Sequence, residues 1–473
     1  MAKDDTILIN NFNTGVAPNV ADGFEAVVGC DIDTIPGTIF PNFSPTKISG
    51  ATFTDTVIAM TSDYALDKDG VVASYTGTAI PATPDAYTAG LAEWKTFTFH
   101  IGITSINTYK AGVGWNTTWA GKTKEGSNDS ASFWATDDKL YIASGPYLYS
   151  LQEVDGKTFN PADSTTFIAT QRALDLPAWY NIVGISQIGG YLALIANANN
   201  YGALFLWDMV SPSYENPIFF NEIANQIIAY KGLLYINVGS LCTFYACNGT
   251  SLSEPYKFPI SSLENSTNTP ARYSFEFYPN AIEVIRGKIF FGLGQGTDAF
   301  EPAGIYSFDP QTTKFKCENI ISTGSKVTLS IGAIRKSTGS SQYDYRYGFG
   351  DATGATSYGI DYVNGSARHT SYAPYFVTPF YTVGTHLTPR TFRSIQVGFR
   401  TPSNGTTYNV KIEYRTSKKY NTWTQLNITN LTSTNGITSY QFPFAVTARA
   451  IQFRISFSGN ANTVAGLEEI RIN

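Results

Sequence analysis

One unit recurs through the middle of this chain: an apolar segment, a tight turn, then a second apolar segment. It is clearest over residues 221–249. There Ile227-Ile228-Ala229, the turn Lys231-Gly232 and Leu233-Leu234-Tyr235-Ile236 lead to Phe244-Tyr245-Ala246-Cys247-Asn248-Gly249. Asp137-Asp138 precedes Leu140-Tyr141-Ile142 and Tyr147-Leu148-Tyr149. Gly189-Gly190 precedes Tyr191-Leu192-Ala193-Leu194-Ile195 and Leu204-Phe205-Leu206-Trp207-Asp208. Arg286-Gly287 precedes Lys288-Ile289-Phe290-Phe291 and Ile305-Tyr306-Ser307-Phe308-Asp309. Short apolar runs cut by such turns form antiparallel strands and hairpins. The turns near 138, 190, 232 and 287 repeat roughly every 40–55 residues, the length of a four-stranded propeller blade.

A lone sheet of four short strands leaves its two faces in water. Radial stacking against neighbouring sheets covers both faces and leaves only short edges. The repeat therefore predicts an all-β fold with a closed β-propeller over residues 51–372. Weaker units at Val57-Ile58-Ala59-Met60, at Phe97-Thr98-Phe99-His100-Ile101 and at Arg346-Tyr347-Gly348-Phe349-Gly350 bring the expected number to about seven blades. Short helices are expected to interrupt the ring near 89–94, 171–174 and 219–228, although none has a sustained 3.6-residue period. Residues 1–50 read as an extended segment contributing to the propeller.

The texture changes near residue 373. In Tyr408-Asn409-Val410-Lys411-Ile412-Glu413-Tyr414-Arg415 every second residue is apolar, and Ile451-Gln452-Phe453-Arg454-Ile455-Ser456-Phe457 repeats the pattern. A period of two buries one face of a strand and wets the other. Residues 373–473 therefore predict an antiparallel β-sandwich.

Composition narrows the function classes. Charged residues are only 15% of the chain and the net charge is −5, so no basic surface is available to grip a phosphate backbone. Four cysteines, Cys30, Cys242, Cys247 and Cys317, are too few for a disulfide scaffold in 473 residues and are expected as buried thiols. No apolar run has the length of a membrane span, and the polar Met1-Ala2-Lys3-Asp4-Asp5 predicts no secretory signal.

Motifs with chemistry are scarce. His100, His369 and His386 are scattered, and no Gly-x-Ser-x-Gly elbow accompanies them. Ala120-Gly121-Lys122-Thr123 lacks the first glycine of a phosphate loop, since Asn116 stands there. Gly292-x-Gly294-x-Gly296 has no following helix and reads as a hairpin tip. Asp31, Asp33, Asp137 and Asp138 fit turns and lack the spaced ligands of a calcium loop. No catalytic, metal or cofactor site is expected. The one candidate ligand site is a sugar-stacking platform of Trp115 and Trp119 beside Lys122 and Lys124, against which stands a role in packing the blade.

Asp33-Thr34-Ile35-Pro36-Gly37 precedes the propeller, and Phe376-Val377-Thr378-Pro379-Phe380-Tyr381 opens the terminal region. Arg449-Ala450-Ile451-Gln452-Phe453-Arg454-Ile455 and Leu467-Glu468-Glu469-Ile470-Arg471-Ile472-Asn473 close it. This order resembles the tail hub or nozzle proteins of short-tailed bacteriophages, including the packaged-DNA stabilisation proteins. The resemblance covers nearly the whole chain in architecture and carries over no binding residues. It implies a non-enzymatic virion part, made in the host cytoplasm. Such parts form a homo-oligomeric ring, often a hexamer, around the DNA exit channel. The ring would contact adaptor or neck and distal tail proteins, and DNA would pass without sequence-specific binding. The inserted domain or gating loop that would close such a channel is not identifiable. Two other classes compete: a receptor- or glycan-binding virion protein, and a propeller glycoside hydrolase.

If 373–473 holds its own core, Val410→Asp or Phe453→Asp should abolish the thermal transition of that region. Each fully buried large side chain contributes roughly 1.5–3 kcal/mol. Differential scanning calorimetry of either variant checks this.

Overall fold

A computed structural model describes residues 7–9, 24–33, 38–49, 52–75, 88–102, 106–110, 113–116, 132–153, 167–259, 275–295, 303–322, 329–337, 345–351, 358–368, 373–382, 388–399, 407–417, 422–432, 439–459 and 466–473. Among these there is no helix, and seven antiparallel blades form a β-propeller. Blade 1 shows three strands among the described residues, Val57–Met60, Tyr64–Asp67 and Val72–Ser74. Blade 2 runs Thr88–Trp94, Phe97–Gly102, Ile106–Lys110 and Gly114–Asn116. Blade 3 runs Phe133–Ala135, Lys139–Ser144, Tyr147–Glu153 and Phe167–Asp175. Blade 4 is built from Asn181–Ile188, Tyr191–Ala198, Tyr201–Trp207 and Ile218–Phe220. Ala224–Tyr230, Leu233–Val238, Thr243–Cys247 and Tyr256–Lys257 make blade 5. Ile282–Ile285, Lys288–Gln295, Gly304–Asp309 and Lys314–Ile320 make blade 6.

Blade 7 is composite. Leu329–Lys336, Tyr345–Asp351 and Gly359–Arg368 come in order, and its outer strand, Phe43–Lys47, comes from the start of the chain. The first strand of each blade lies innermost and touches that of the next, and Leu329–Lys336 touches Val57–Met60 to close the circle. At that seam Gly332 and Gly348 lie against Val57, too close for any Cβ, so glycine is required there.

The turns explain why the repeat was visible. Lys231 and Gly232 have φ of 49° and 78°, and Arg286 and Gly287 have 52° and 74°. Two successive positive values define the two-residue hairpin turn that matches strand twist. The expected helices are instead strands: 89–94 lies in the inner strand of blade 2, 171–174 in the outer strand of blade 3, and 219–228 ends blade 4 and opens blade 5. Helix-favouring residues there are overruled by ladder hydrogen bonds and by burial between blades.

The alternating segments near the C-terminus form two sheets. Ile7–Ile9, Leu467–Ile472, Arg390–Phe399 and Ser439–Ala448 make one; Tyr375–Val377, Gln452–Gly459, Thr407–Arg415 and Thr424–Thr432 belong to the other. Their alternate residues, including Ile395, Val397, Val410, Ile412, Phe453 and Ile455, share one hydrophobic core, with Val410 and Phe453 fully buried.

Within residues 1–50, expected to serve the propeller, the described strands divide between it and the C-terminal sheets: Phe43–Lys47 completes blade 7, while two others pair further on. Ile7–Ile9 pairs with Leu467–Ile472, and Ala26–Val28 pairs with Tyr375–Val377. Val28 also pairs in parallel with Cys317 of blade 6, and Gly29 N–H donates to the Cys317 carbonyl at 3.0 Å. One sheet of ten strands thus runs from blade 6 into the C-terminal region. A polar knot covers the junction. Asp33 pairs with Lys288 at 2.6 Å and Lys316 at 2.9 Å, Lys316 pairs with Glu318 at 3.0 Å, and the Asn42 amide donates to Glu318 at 2.9 Å. Burial pushes the Asp33 carboxyl up, but Lys316 and Lys288 outweigh it and hold it well below the usual carboxylate range.

Asp361, on the strand that receives Phe43–Lys47, has the opposite balance. It accepts from Ser322 N at 2.7 Å and Ser322 Oγ at 2.6 Å. Burial still dominates those bonds and raises its pKa to about 6. The folded state therefore favours the protonated acid. That stability is fully present below the unfolded pKa of about 3.9 and is lost as pH rises through about 6. Asp361→Asn should remove about 2 kcal/mol of pH-dependent loss between pH 4 and 7, read as a flatter profile of denaturation midpoint against pH.

Candidate functional site

The inner strands enclose an axial cavity of about 480 Å³. All seven blades line it, among them Met60, Leu91, Trp134, Ile185, Ile227, Glu283 and Arg335. Its size is that of a small-molecule pocket. The segment Tyr278–Ala281 does not pass outside the ring. Gln226 of blade 5 donates its amide to the carbonyls of Tyr278 and Ala281, both at 2.9 Å, and the Asn280 amide donates to the Ile58 carbonyl of blade 1 at 3.0 Å. Blades 5 and 1 are three steps apart, so this segment crosses the lumen. Pro279 and Asn280 consequently form part of the cavity wall.

Polar groups gather where the inner strands end. The Arg335 guanidinium pairs with Glu93 at 2.7 Å and donates to Ser62 Oγ at 3.1 Å and to the Met60 carbonyl at 3.4 Å. Glu93 in turn accepts from Ser62 N at 2.9 Å and Ser62 Oγ at 2.8 Å. The Trp134 indole donates to Gln187 Oε1 at 3.0 Å. Glu283 accepts from Val284 N at 3.0 Å; burial raises its pKa, opposed by that bond and by the positive charges of Arg335 and Lys336. The cluster links blades 1, 2 and 7 and satisfies its own charges. A cation at Arg335 is matched by Glu93, and the Ser62 hydroxyl is held between them. The arrangement can orient a polar ligand, and the carboxylate that the Ser62 hydroxyl faces, Glu93, is also the partner of Arg335.

Glu93 and Arg335 are 242 residues apart, and nothing in the sequence around either marks it. They meet because one lies near the end of the inner strand of blade 2 and the other near the end of that of blade 7. The sequence-level candidates are elsewhere. Trp115 sits on the outermost strand of blade 2, paired with Tyr109, and its side chain, Trp119 and residues 120–123 lie outside the described residues. His100 is buried within blade 2 and does not line the cavity; His369 and His386 lie outside the described residues. Asp137 and Asp138 form the first turn of blade 3, and Asp33 is taken up by two lysines. Among the described residues no group of three or more His, Cys, Asp or Glu side chains is placed to hold a metal ion. All four cysteines are buried, and none is in a disulfide.

No protein-family model matches the sequence, and no curated protein matches it. Solved structures similar in fold include YCF48 bound to D1 peptide, at 10% identity and a TM-score of 0.47, covering 74% of this chain and 100% of that one. The Dos1 propeller is similar at 9% identity and a TM-score of 0.42, covering 68% of this chain and 94% of that one. The Cps50 (Swd1) β-propeller domain of Myceliophteria thermophila is similar at 8% identity and a TM-score of 0.42, covering 68% and 98%. At these identities the likeness concerns the fold alone.

Removing one member of the central ion pair strands the other. Arg335→Met should cost about 1–3 kcal/mol. Adding Glu93→Gln should recover part of that loss, giving a coupling energy in a double-mutant cycle of denaturation midpoints.

Proposed function

We propose that this protein is a structural, non-enzymatic component of a bacteriophage virion, a tail hub or nozzle protein. In this reading it forms a homo-oligomeric ring, with six copies favoured, that links neck or adaptor proteins to distal tail parts. The observation that carries the reading is the ten-stranded sheet joining blade 6 to the C-terminal strands. Backbone pairing at Val28–Cys317 and from Ala26–Val28 to Tyr375–Val377 ties the two units together, an arrangement suited to bearing load between neighbours. The self-paired charges of the axial cavity support the non-enzymatic part. The cavity, at about 480 Å³, has the volume of a small-molecule pocket and no room for a duplex. DNA in this reading passes through the ring of copies and not through the propeller. A net charge of −5 lets it slide without adhering.

The test is localisation in purified particles. The protein should be present in several copies and confined to one vertex, as seen by immunogold labelling and quantitative mass spectrometry. Its absence from particles, or uniform labelling over the capsid, would contradict the proposal. Specific binding of the isolated chain on a glycan array would favour the receptor-binding alternative, and turnover of glycosides the hydrolase.

A further inference from the structure

Exposed apolar side chains are unevenly placed. Of the nine large exposed hydrophobic residues among those described, seven lie on blades 4 and 5 or the segments that enter them. They divide between the two faces of the propeller. The inner strand Asn181–Ile188 and the third strand Tyr201–Trp207 of blade 4 run in the same direction. Trp179, Tyr201, Phe219, Ile223 and Leu241 therefore lie at the face where these strands begin. Tyr191 and Val210 lie at the face where they end.

On the first face the aromatic residues form a raised ridge. Trp179 is 67% exposed and Phe219 59%. Trp179 and Tyr201 flank Tyr180, with ring centroids 6.3 and 6.0 Å from it, and Tyr201 lies 6.5 Å from Phe219. Tyr180 is itself buried edge-on against Phe205, ring centroids 5.0 Å apart, so the base of the ridge is fixed before any partner arrives. On the opposite face a groove of about 620 Å³ opens between blades 4 and 5, lined by Ile188, Tyr191, Leu206 and Ile218 with Asn216 and Asn248. A rigid apolar ridge and an apolar groove on opposite faces of the same two blades are complementary halves of a head-to-tail contact. Such a contact closes into a ring or extends as a filament. Together with Ile223 and Leu241 of the same face, the ridge offers on the order of 500 Å² of apolar side chain. With a polar rim, that approaches the roughly 800 Å² per partner of a stable protein interface.

We propose that copies of this chain associate head to tail, the Trp179–Tyr201–Phe219 ridge of one copy seated in the groove between blades 4 and 5 of the next. The inference rests on the self-assembly in the function proposed above and is independent of where in a virion, or whether in one, the protein works.

The test is sedimentation velocity of the full chain over a range of concentrations, with variants of each half. Trp179→Ala removes the ridge. Gly190→Arg fills the groove, and nothing lies within 4 Å of a Cβ at Gly190, so the fold accepts it. The wild type should self-associate, and each variant should do so at least about tenfold more weakly. An equimolar mixture of the two should give a one-to-one dimer and nothing larger, since between them one ridge and one groove survive. Should Trp179→Ala lose its thermal transition, Phe219→Ser takes its place. A wild type that is monomeric at every concentration would overturn both this interface and the self-assembly part of the proposed function. Association that survives both substitutions would overturn this interface alone. A mixture that stays monomeric would mean that the ridge docks on something other than a second copy.

Discussion

The propeller depends on a strand that is borrowed from far away. Blade 7 has three strands of its own, and the fourth, Phe43–Lys47, arrives from before blade 1. Without it the outer edge of Gly359–Arg368 would be left unpaired. The last blade would also lose its covalent tie to the first. A ring of sheets has no interior apart from the faces that neighbouring blades hide from water, so the closing contact secures every other blade. The glycines at the seam between blades 7 and 1 serve the same end. They let Val57 approach the backbone of blade 7 more closely than any side chain allows.

The same leading segment ties the ring to the C-terminal sheets. Before reaching blade 7 it pairs at Ile7–Ile9 and again at Ala26–Val28, where it also touches blade 6. Carboxylates along this path are treated in two ways. Asp33 lies between two lysines that favour its charge, whereas Asp361 is buried deeply enough that hydroxyl and amide donors do not compensate. The junction is therefore reinforced by ionisation on the blade 6 side and opposed by it on the blade 7 side. Charge near the axis is handled locally: Glu93, Arg335 and Ser62 satisfy one another, so the cavity wall stays intact without a ligand.

Much of this architecture was legible in the sequence, because its determinants are local. The turns Lys231-Gly232 and Arg286-Gly287 advertise hairpins through their backbone needs, and their spacing gives the blade. The alternation around Val410 and Phe453 gives strands with one wet face, and both residues are fully buried. What the sequence hid is non-local. Phe43-Ser44-Pro45-Thr46-Lys47 carries no mark of pairing with a strand more than 300 residues later, and neither partner of the Glu93–Arg335 pair lies in a motif. Segments such as 89–94 looked helical because propensity is read residue by residue, whereas the ladder that overrules it is made by a neighbouring strand. The exposure of Trp179 was equally invisible: in a chain so rich in aromatic residues, only the fold separates those that pack blades from those that face outward.

The central claim is that the N-terminal segment is an integral strand of both halves and not an appendage. Hydrogen exchange of the amides in Ala26–Val28 and Phe43–Lys47, followed by mass spectrometry in the native state, tests it most directly. The account predicts protection comparable to that of the inner strand Ala224–Tyr230, lost only when the whole ring unfolds. Exchange of those amides as rapid as in exposed loops, with the blades still protected, would contradict it.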